Sequence, residues 1–191
     1  VQPQAEVFQP AQGAFGALTV TMKLFPAIVT AHLLGGMVLL ALLCLQAVRY
    51  SQAVRAAVPR AVPAAVRAWL VAAGLLLALQ LALGGWVSTN YAVLACSDFP
   101  ACQGAWWPAM DFRHGFTLWR DLGATGRGDF LPFEALTAIH YVHRLAAYVV
   151  LAALLLLGWR LQAFASPTAR RFALGLAALA AWQLGTGLAN V

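Results

Sequence analysis

The chain has 191 residues, of which 62% are hydrophobic and only 9% are charged, and its mean hydropathy is +0.77. Soluble domains carry about 25% charged residues, so this composition excludes an ordinary soluble domain and indicates a membrane protein. The formal net charge is +6. Because the basic residues lie in short linkers between apolar runs, no nucleic-acid partner is expected.

Four apolar runs follow one another along the chain, at residues 26–48, 69–87, 137–159 and 172–191. Each has about 20 residues, which as a helix crosses a hydrocarbon core of ~30 Å. The sequence therefore predicts an all-α polytopic membrane helix bundle with four transmembrane helices in the lipid bilayer. The predicted organisation is an outer segment and first transmembrane helix at 1–48, a linker at 49–68, and helices two to four at 69–191.

The placement of charge predicts the orientation of these helices. The linker between the first and second runs has four arginines and no acid, and the one between the third and fourth runs has three arginines and no acid. The long segment 88–136 has three arginines but five acidic residues. The positive-inside rule places both short linkers in the cytoplasm and the loop 88–136 outside. Four tryptophans are predicted to form an interfacial belt: Trp86, Trp106, Trp107 and Trp119.

A weak internal repeat relates QGAFGALTV at 12–20 to QLGTGLANV at 183–191, with Gln, Gly and Val in matching positions. The chain also begins with valine and stops inside an apolar run, which predicts that it is a piece of a longer protein. His32 follows the first copy by twelve residues. The repeat therefore predicts another histidine at a similar distance after the second copy, in a further helix.

Three of the four histidines, His32, His140 and His143, lie in membrane runs, where ionisable groups are costly and usually functional. All three are near the outer ends of their runs, so the opposite chain directions place them at a similar depth. Such histidines are typical axial ligands of haem, and Arg144 is a candidate to hold a propionate. The alternative is hydrogen bonding between helices or a water-filled cavity. His114, in the outer loop, is interpreted as a solvated loop histidine.

The three cysteines divide by position. Cys44 lies near the cytoplasmic end of the first run and is predicted to be a packed free thiol. Cys96 and Cys102 lie outside, where disulfides persist, and five residues between them close a small ring. A structural disulfide and a redox-active one both remain open, whereas metal binding by this pair alone is disfavoured because a zinc site needs four ligands.

Four segments together resemble the haem A synthase family of bacterial and mitochondrial membranes: GALTVTMKLFPAIVTAHLLGG, LGGWVSTNYAVLACSDFPACQGAWWPAMDF, FLPFEALTAIHYVHR and QLGTGLANV. The cysteine loop and HYVHR are the most specific of them. The resemblance implies an eight-helix protein of two similar halves, of which this chain covers the end of the third helix through the seventh. It further implies a multi-pass protein of the cell inner (plasma) membrane, with the loop 88–136 on the periplasmic side.

The resemblance implies an enzyme that oxidises a porphyrin methyl group of haem O to the formyl group of haem A, with haem b as cofactor. Implied partners are the haem O substrate, an enzyme that produces haem O, and an electron acceptor; a homo-oligomer is compatible with this. By the family pattern His143 is the axial ligand of haem b and His32 that of the substrate haem. His140 and Arg144 belong to the haem surroundings.

The same pattern implies that Cys96 and Cys102 form a disulfide above the haem b half. Each haem site here has only one of its two axial histidines, so the chain alone is expected to be inactive. Two other functions share some of these features. A quinone-linked thiol oxidase also uses outer cysteines, and a cytochrome b-like membrane anchor that carries electrons also uses membrane histidines.

Overall fold

The computed structural model describes residues 2–56, 62–163 and 166–189, with side chains from residue 8 onward. Within these ranges its regular structure is helical, without strands, which confirms the all-α class. The helices are α1 (Gln2–Thr21), α2 (Pro26–Val54), α3 (Ala64–Thr89), the short α4 (Phe112–Gly115), α5 (Phe133–Gln162) and α6 (Pro167–Leu188). A short 3-10 helix at Ala92–Ala95 follows α3.

Three helices of the described chain, α2, α3 and α5, are long and apolar enough to cross a membrane. They correspond to the first three apolar runs, and the chain is a multi-pass membrane protein. The 22-residue α6 forms at the fourth run but is not among the three, so a fourth transmembrane helix stays a prediction. Residues 57–61 of the predicted linker and 190–191 of the repeat lie outside the described residues.

The helices extend past the apolar runs that predict them. The first run ends at residue 48, but α2 continues to Val54, because its last turns contain Gln, Arg and Ala, which favour helix without favouring hydrocarbon. The segment before Thr21, predicted only as an outer segment, forms the 20-residue α1. It lacks a continuous apolar run and packs against α2, which supplies the stabilisation that helix propensity alone does not.

The chain divides into two compact units. The first contains α1, α2 and residues 117–130 of the outer loop. The second contains α3, α4, α5 and α6 with the rest of that loop, and α5 packs against both α3 and α6. One apolar core of this second unit lies between α3, α5 and α6, formed by Val66, Ala73, Leu157, Leu161 and Ala173.

Two residues differ from the sequence-based predictions. Trp86 is only 5% exposed and donates from Nε1 to the carbonyl oxygen of Gly115 at 2.9 Å. It belongs to the protein interior and not to an interfacial belt, because its ring pairs with a backbone acceptor inside the second unit. Cys44 is a free cysteine, as predicted, but it is exposed on α2 instead of packed. Its neighbours Leu43 and Leu45 are also exposed, as expected for a surface that meets lipid.

Candidate functional site

His143 lies on the side of α5 that faces α3. A Cβ added at Gly84 of α3 would lie 3.1 Å from the His143 Cε1 atom, closer than side chains normally approach. One turn earlier on α3, the Gln80 amide nitrogen lies 3.1 Å from His143 Nδ1 and donates to the His143 carbonyl oxygen at 3.3 Å. Because residues four apart share a helix face, Gln80 and Gly84 together form the surface that receives the imidazole.

His32 has a similar environment in the first unit. A Cβ added at Gly16 of α1 would lie 3.2 Å from the His32 Cε1 atom. Gln12, one turn earlier on α1, donates from its amide nitrogen to the His32 carbonyl oxygen at 2.5 Å. His32 Nδ1 is buried and has no hydrogen-bond partner among the described residues, which is uncommon for a buried polar atom.

His140 and His143 lie on adjoining parts of one side of α5. Three residues of helix separate their directions by about 60°. His140 is buried, with 7% of its surface exposed, and its Nδ1 lies 2.9 Å from the carbonyl oxygen of Ala92 in the short 3-10 helix. A neutral imidazole can donate one proton, so this contact assigns the proton to Nδ1 and uses the ring to join α5 to the 3-10 helix.

Cys96 and Cys102 are joined in a disulfide, as the resemblance implies. Both residues are buried, with 1% and 0% of their surfaces exposed, and they pack against Tyr141 of α5. The Asp98 carboxylate inside this ring accepts from the backbone N–H groups of Gln103 at 2.6 Å and Gly104 at 2.9 Å. The disulfide closes the ring 96–102, and the Asp98 carboxylate binds the two residues that follow it. Together they constrain the segment 96–104.

The disulfide loop is fastened to one face of α5 at three points. Gln103 donates to the Thr137 hydroxyl at 2.8 Å, and the Tyr141 hydroxyl donates to the Trp106 carbonyl oxygen. Arg144 supplies the third point. Because Thr137, Tyr141 and Arg144 are spaced by four and three residues, they lie along one side of the helix. The loop therefore has a fixed position over the end of α5 that carries His140 and His143.

Arg144 is buried, and its recorded hydrogen bonds run to the disulfide ring. Nη1 donates to the carbonyl oxygens of Asp98 at 2.8 Å and Ala101 at 2.7 Å, and Nη2 donates to that of Cys96 at 3.4 Å. Its guanidinium also lies 5.6 Å from the centre of the Phe99 ring. The planar fork of arginine suits this convergence of carbonyls, which a lysine ammonium cannot reproduce.

The pKa of Asp98 lies below its ordinary value, first because the Gly104 N–H donates to the carboxylate and then because Gln103 does. A carboxylate with a lowered folded-state pKa contributes stability that is present above the unfolded pKa of about 3.9 and is lost as the pH falls through the folded pKa. We expect hydrogen-exchange protection of the Gln103 and Gly104 amides, corrected for intrinsic rate, to stay constant from pH 7 to 5 and to decline below pH ~4.

Asp98→Ala should lower this protection at neutral pH several-fold, while Ser97→Ala, at an exposed neighbouring position, should leave it unchanged. Equal protection in the Asp98→Ala protein and the unsubstituted protein would show that the carboxylate does not hold the loop.

His114 has a local partner, in agreement with its interpretation as a loop residue. It lies in α4, and its Nδ1 is 2.5 Å from the Asp111 carboxylate, whose other oxygen caps the helix by accepting from the His114 N–H at 3.0 Å. The His114 side-chain contact is the main cause of a lowered pKa at Asp111. These contacts assign His114 to loop structure.

The arrangement fits a haem-binding function better than a compact metal centre. No group of three or more His, Cys, Asp or Glu residues suited to a metal ion occurs among the described residues. Two atoms buried next to the ligand candidates, His32 Nδ1 and Gln80 Oε1, have no hydrogen-bond partner there. Imidazoles on apolar membrane helices provide the donor chemistry that haem iron takes, so the residues present fit this group.

The sequence-based analysis missed Gln80 and Gly84, which contact the predicted ligand His143. A signal was present in the repeat: QGAFG at 12–16 and QLGTG at 183–187 have the same Gln-x-x-x-Gly spacing as QLALG at 80–84. The copy at 80–84 lies inside an apolar run, where Gln80 is an isolated polar residue.

Comparison with known proteins agrees with these observations. The family model described as cytochrome oxidase assembly protein (COX15-CtaA) matches residues 6–191. The haem A synthase of Shewanella oneidensis is 37% identical over 184 residues, which are 94% of this chain and 54% of that protein. The chain thus spans about half the length of this curated relative. No solved structure matches this chain. The chain belongs to the cytochrome oxidase assembly protein family, and the resemblance to haem A synthase is confirmed.

Proposed function

We propose that this chain forms part of a haem A synthase, which oxidises the methyl group of haem O to the formyl group of haem A in the membrane. The observation that carries the proposal is the pair of histidines, His143 and His32, in apolar helices. The ring of each lies close against a glycine of the neighbouring helix. The similarity to the Shewanella oneidensis haem A synthase supports the same function.

In this proposal His143 would hold the iron of haem b and His32 would hold the iron of the substrate haem. Haem iron, when bound, supplies the one-electron chemistry that the side chains lack. The protein contributes imidazoles held against neighbouring helices and apolar helices that exclude water. His140 is a positioning residue in this scheme, because its Nδ1 is occupied by the Ala92 carbonyl oxygen.

Arg144 also acts through the loop in this proposal. Its guanidinium is directed to three carbonyl oxygens of the disulfide ring, which supports a role in holding the loop over the haem b region. We propose that Cys96 and Cys102 serve as a structural staple, since both sulfur-bearing residues are buried.

We further propose an eight-helix protein of two similar halves, with α6 as a fourth transmembrane helix in this chain. The recurrence of a Gln-x-x-x-Gly pair against a histidine in both units supports this symmetry. A third such pair, Gln183 and Gly187, lies on α6, and a Cβ at Gly187 would meet nothing within 4 Å among the described residues.

The charge distribution supports a multi-pass arrangement in the cell inner (plasma) membrane, with the linkers in the cytoplasm and the loop 88–136 on the periplasmic side. Partners in this scheme are an enzyme that supplies haem O, an electron acceptor, and in a homo-oligomer a second copy.

The alternatives explain fewer observations. A quinone-linked thiol oxidase needs reactive cysteines, whereas Cys96 and Cys102 are buried and joined in a disulfide. A cytochrome b-like anchor would use the histidines but gives no role to a disulfide ring fastened to the same helix.

The test is production of the full-length protein in a strain that makes haem O but lacks haem A synthase, followed by extraction and chromatography of the haems. We expect haem A to appear. Accumulation of haem O alone, with the protein inserted in the membrane and loaded with haem b, would favour the electron-carrying anchor. The chain of 191 residues alone is expected to give no haem A.

A further inference from the structure

We infer that a glutamine and a glycine four residues apart on the neighbouring helix act as positioning residues for each haem-ligand histidine. Gln80 and Gly84 of α3 position His143, and Gln12 and Gly16 of α1 position His32. This inference rests on the proposed function, because it takes both histidines as haem ligands. Here, each such combination of glutamine and glycine is termed a histidine cradle.

The two cradles have closely matching internal geometry. In each, the imidazole presents its Cε1 atom to the glycine, at 3.1 Å from the position of a Cβ at Gly84 and 3.2 Å from that at Gly16. In each, the glutamine amide donates to the backbone carbonyl of the same histidine. The two cradles occur in separate units and on helices with different sequences, so the repetition indicates a shared requirement of the two histidines.

Each glycine is explained by space. A helix residue with a Cβ atom would force the facing ring to move by a few tenths of an ångström at these distances. Glycine costs about 1 kcal/mol relative to alanine inside a helix, so its presence at Gly16 and Gly84 needs a compensating reason. Close approach of the ligand imidazole to the neighbouring helix is such a reason.

Each glutamine is explained by orientation. A helical carbonyl oxygen has a second lone pair beyond its intrahelical bond, and the glutamine amide uses it to fix the height of the histidine on its helix. In the second unit the same amide lies 3.1 Å from His143 Nδ1. A half-turn of this amide group would bring Oε1, which lacks a partner among the described residues, to accept the Nδ1 proton in place of the donation to the carbonyl oxygen. Ligand histidines are commonly oriented by an acceptor at their other ring nitrogen.

The experiment compares Gly84→Ala with Gly74→Ala in the full-length, detergent-purified protein. Gly74 lies on the same helix, and a Cβ there would meet nothing within 4 Å. Alanine favours helix at both positions, so loss of helix propensity cannot explain a difference. The readouts are the haem b content per protein and the electron paramagnetic resonance signal of the low-spin ferric haem, with His143→Ala measured in parallel.

We expect Gly84→Ala to shift the low-spin signal and to lower haem b retention by about tenfold, as for other changes next to a metal ligand, whereas Gly74→Ala matches the unsubstituted protein. The first unit provides the corresponding comparison, with Gly16→Ala affecting retention of haem O and Gly13→Ala leaving it unchanged. Should Gly84→Ala not accumulate, Gln80→Leu carries the same expectation of a shifted signal.

An unchanged signal and haem content in Gly84→Ala and Gln80→Leu would overturn the cradle, while loss of haem b in His143→Ala would leave the proposed function intact. If His143→Ala instead retains the full low-spin signal, the ligand assignment fails, and the cradle fails with it. The two failures are therefore distinguishable in one set of proteins.

Discussion

Replacing His143 with alanine in the full-length protein should abolish the low-spin haem b signal and haem A formation together. A change beside a metal ligand lowers affinity by ~10–100-fold, and loss of the ligand itself should have at least that effect. The expected cause is removal of the imidazole that is proposed to bind the haem iron and that lies against Gln80 and Gly84 of α3. The measurements are the haem b content of the purified protein and the haem A extracted from the membranes.

His140→Ala is the matched comparison, because it removes an imidazole from the same helix only three residues away. It should keep haem b and lower stability by about 1 kcal/mol, since it breaks the hydrogen bond to the buried Ala92 carbonyl oxygen. His114→Ala should leave both the haem content and the product unchanged. A protein in which His140→Ala loses haem b and His143→Ala retains it would reverse the assignment of the two histidines.

Replacing Arg144 with glutamine should raise the fraction of molecules in which the disulfide loop has opened away from α5. Hydrogen bonds from a charged donor contribute about 1.5–3 kcal/mol each, and three carbonyl oxygens of the ring accept from this guanidinium. A loss of about 3 kcal/mol would raise the open fraction of the loop by more than ~100-fold. Reduction of Cys96–Cys102 by dithiothreitol, followed with a thiol-reactive mass tag, measures this opening.

Arg144→Lys separates charge from geometry. Because a lysine ammonium cannot span three carbonyls, this protein should also show accelerated reduction, though its charge is unchanged. Arg113→Gln, which removes an arginine elsewhere in the outer loop, should not. If both Arg144 variants lose haem while the disulfide resists reduction as before, Arg144 acts on a haem propionate instead.

The sequence predicted the long helices well because each depends on a continuous apolar run, and lipid leaves a backbone few alternatives to helix. It missed α1, whose alternation of Gln, Ala and Gly carries no such run and whose stability comes from packing on α2. The ends of α2 and α5 were also missed, because helix formation continues where hydrocarbon ends.

Some site residues could be predicted from the sequence, and others are identified only by their contacts in the structure. His32, His143, Cys96 and Cys102 stand out because polar or reactive groups are rare in such a chain, and the family motifs mark them. The residues that position them do not stand out. Gly84 is one of many glycines among apolar residues. It differs from Gly74 in following a glutamine by four residues, and the contact with the His143 ring shows what this spacing does. Arg144 was predicted to hold a propionate from its place in the sequence, whereas its direction toward the disulfide ring depends on how the loop folds.

The three fastenings of the outer loop have a mechanical consequence. Thr137, Tyr141 and Arg144 span eight residues of α5, so the outermost contacts are about 10 Å apart along its axis. Contacts spread along this length oppose sliding of the loop along the helix axis more than a single contact would. A shift of the disulfide ring along the helix would therefore act on the same turns of α5 that carry His140 and His143.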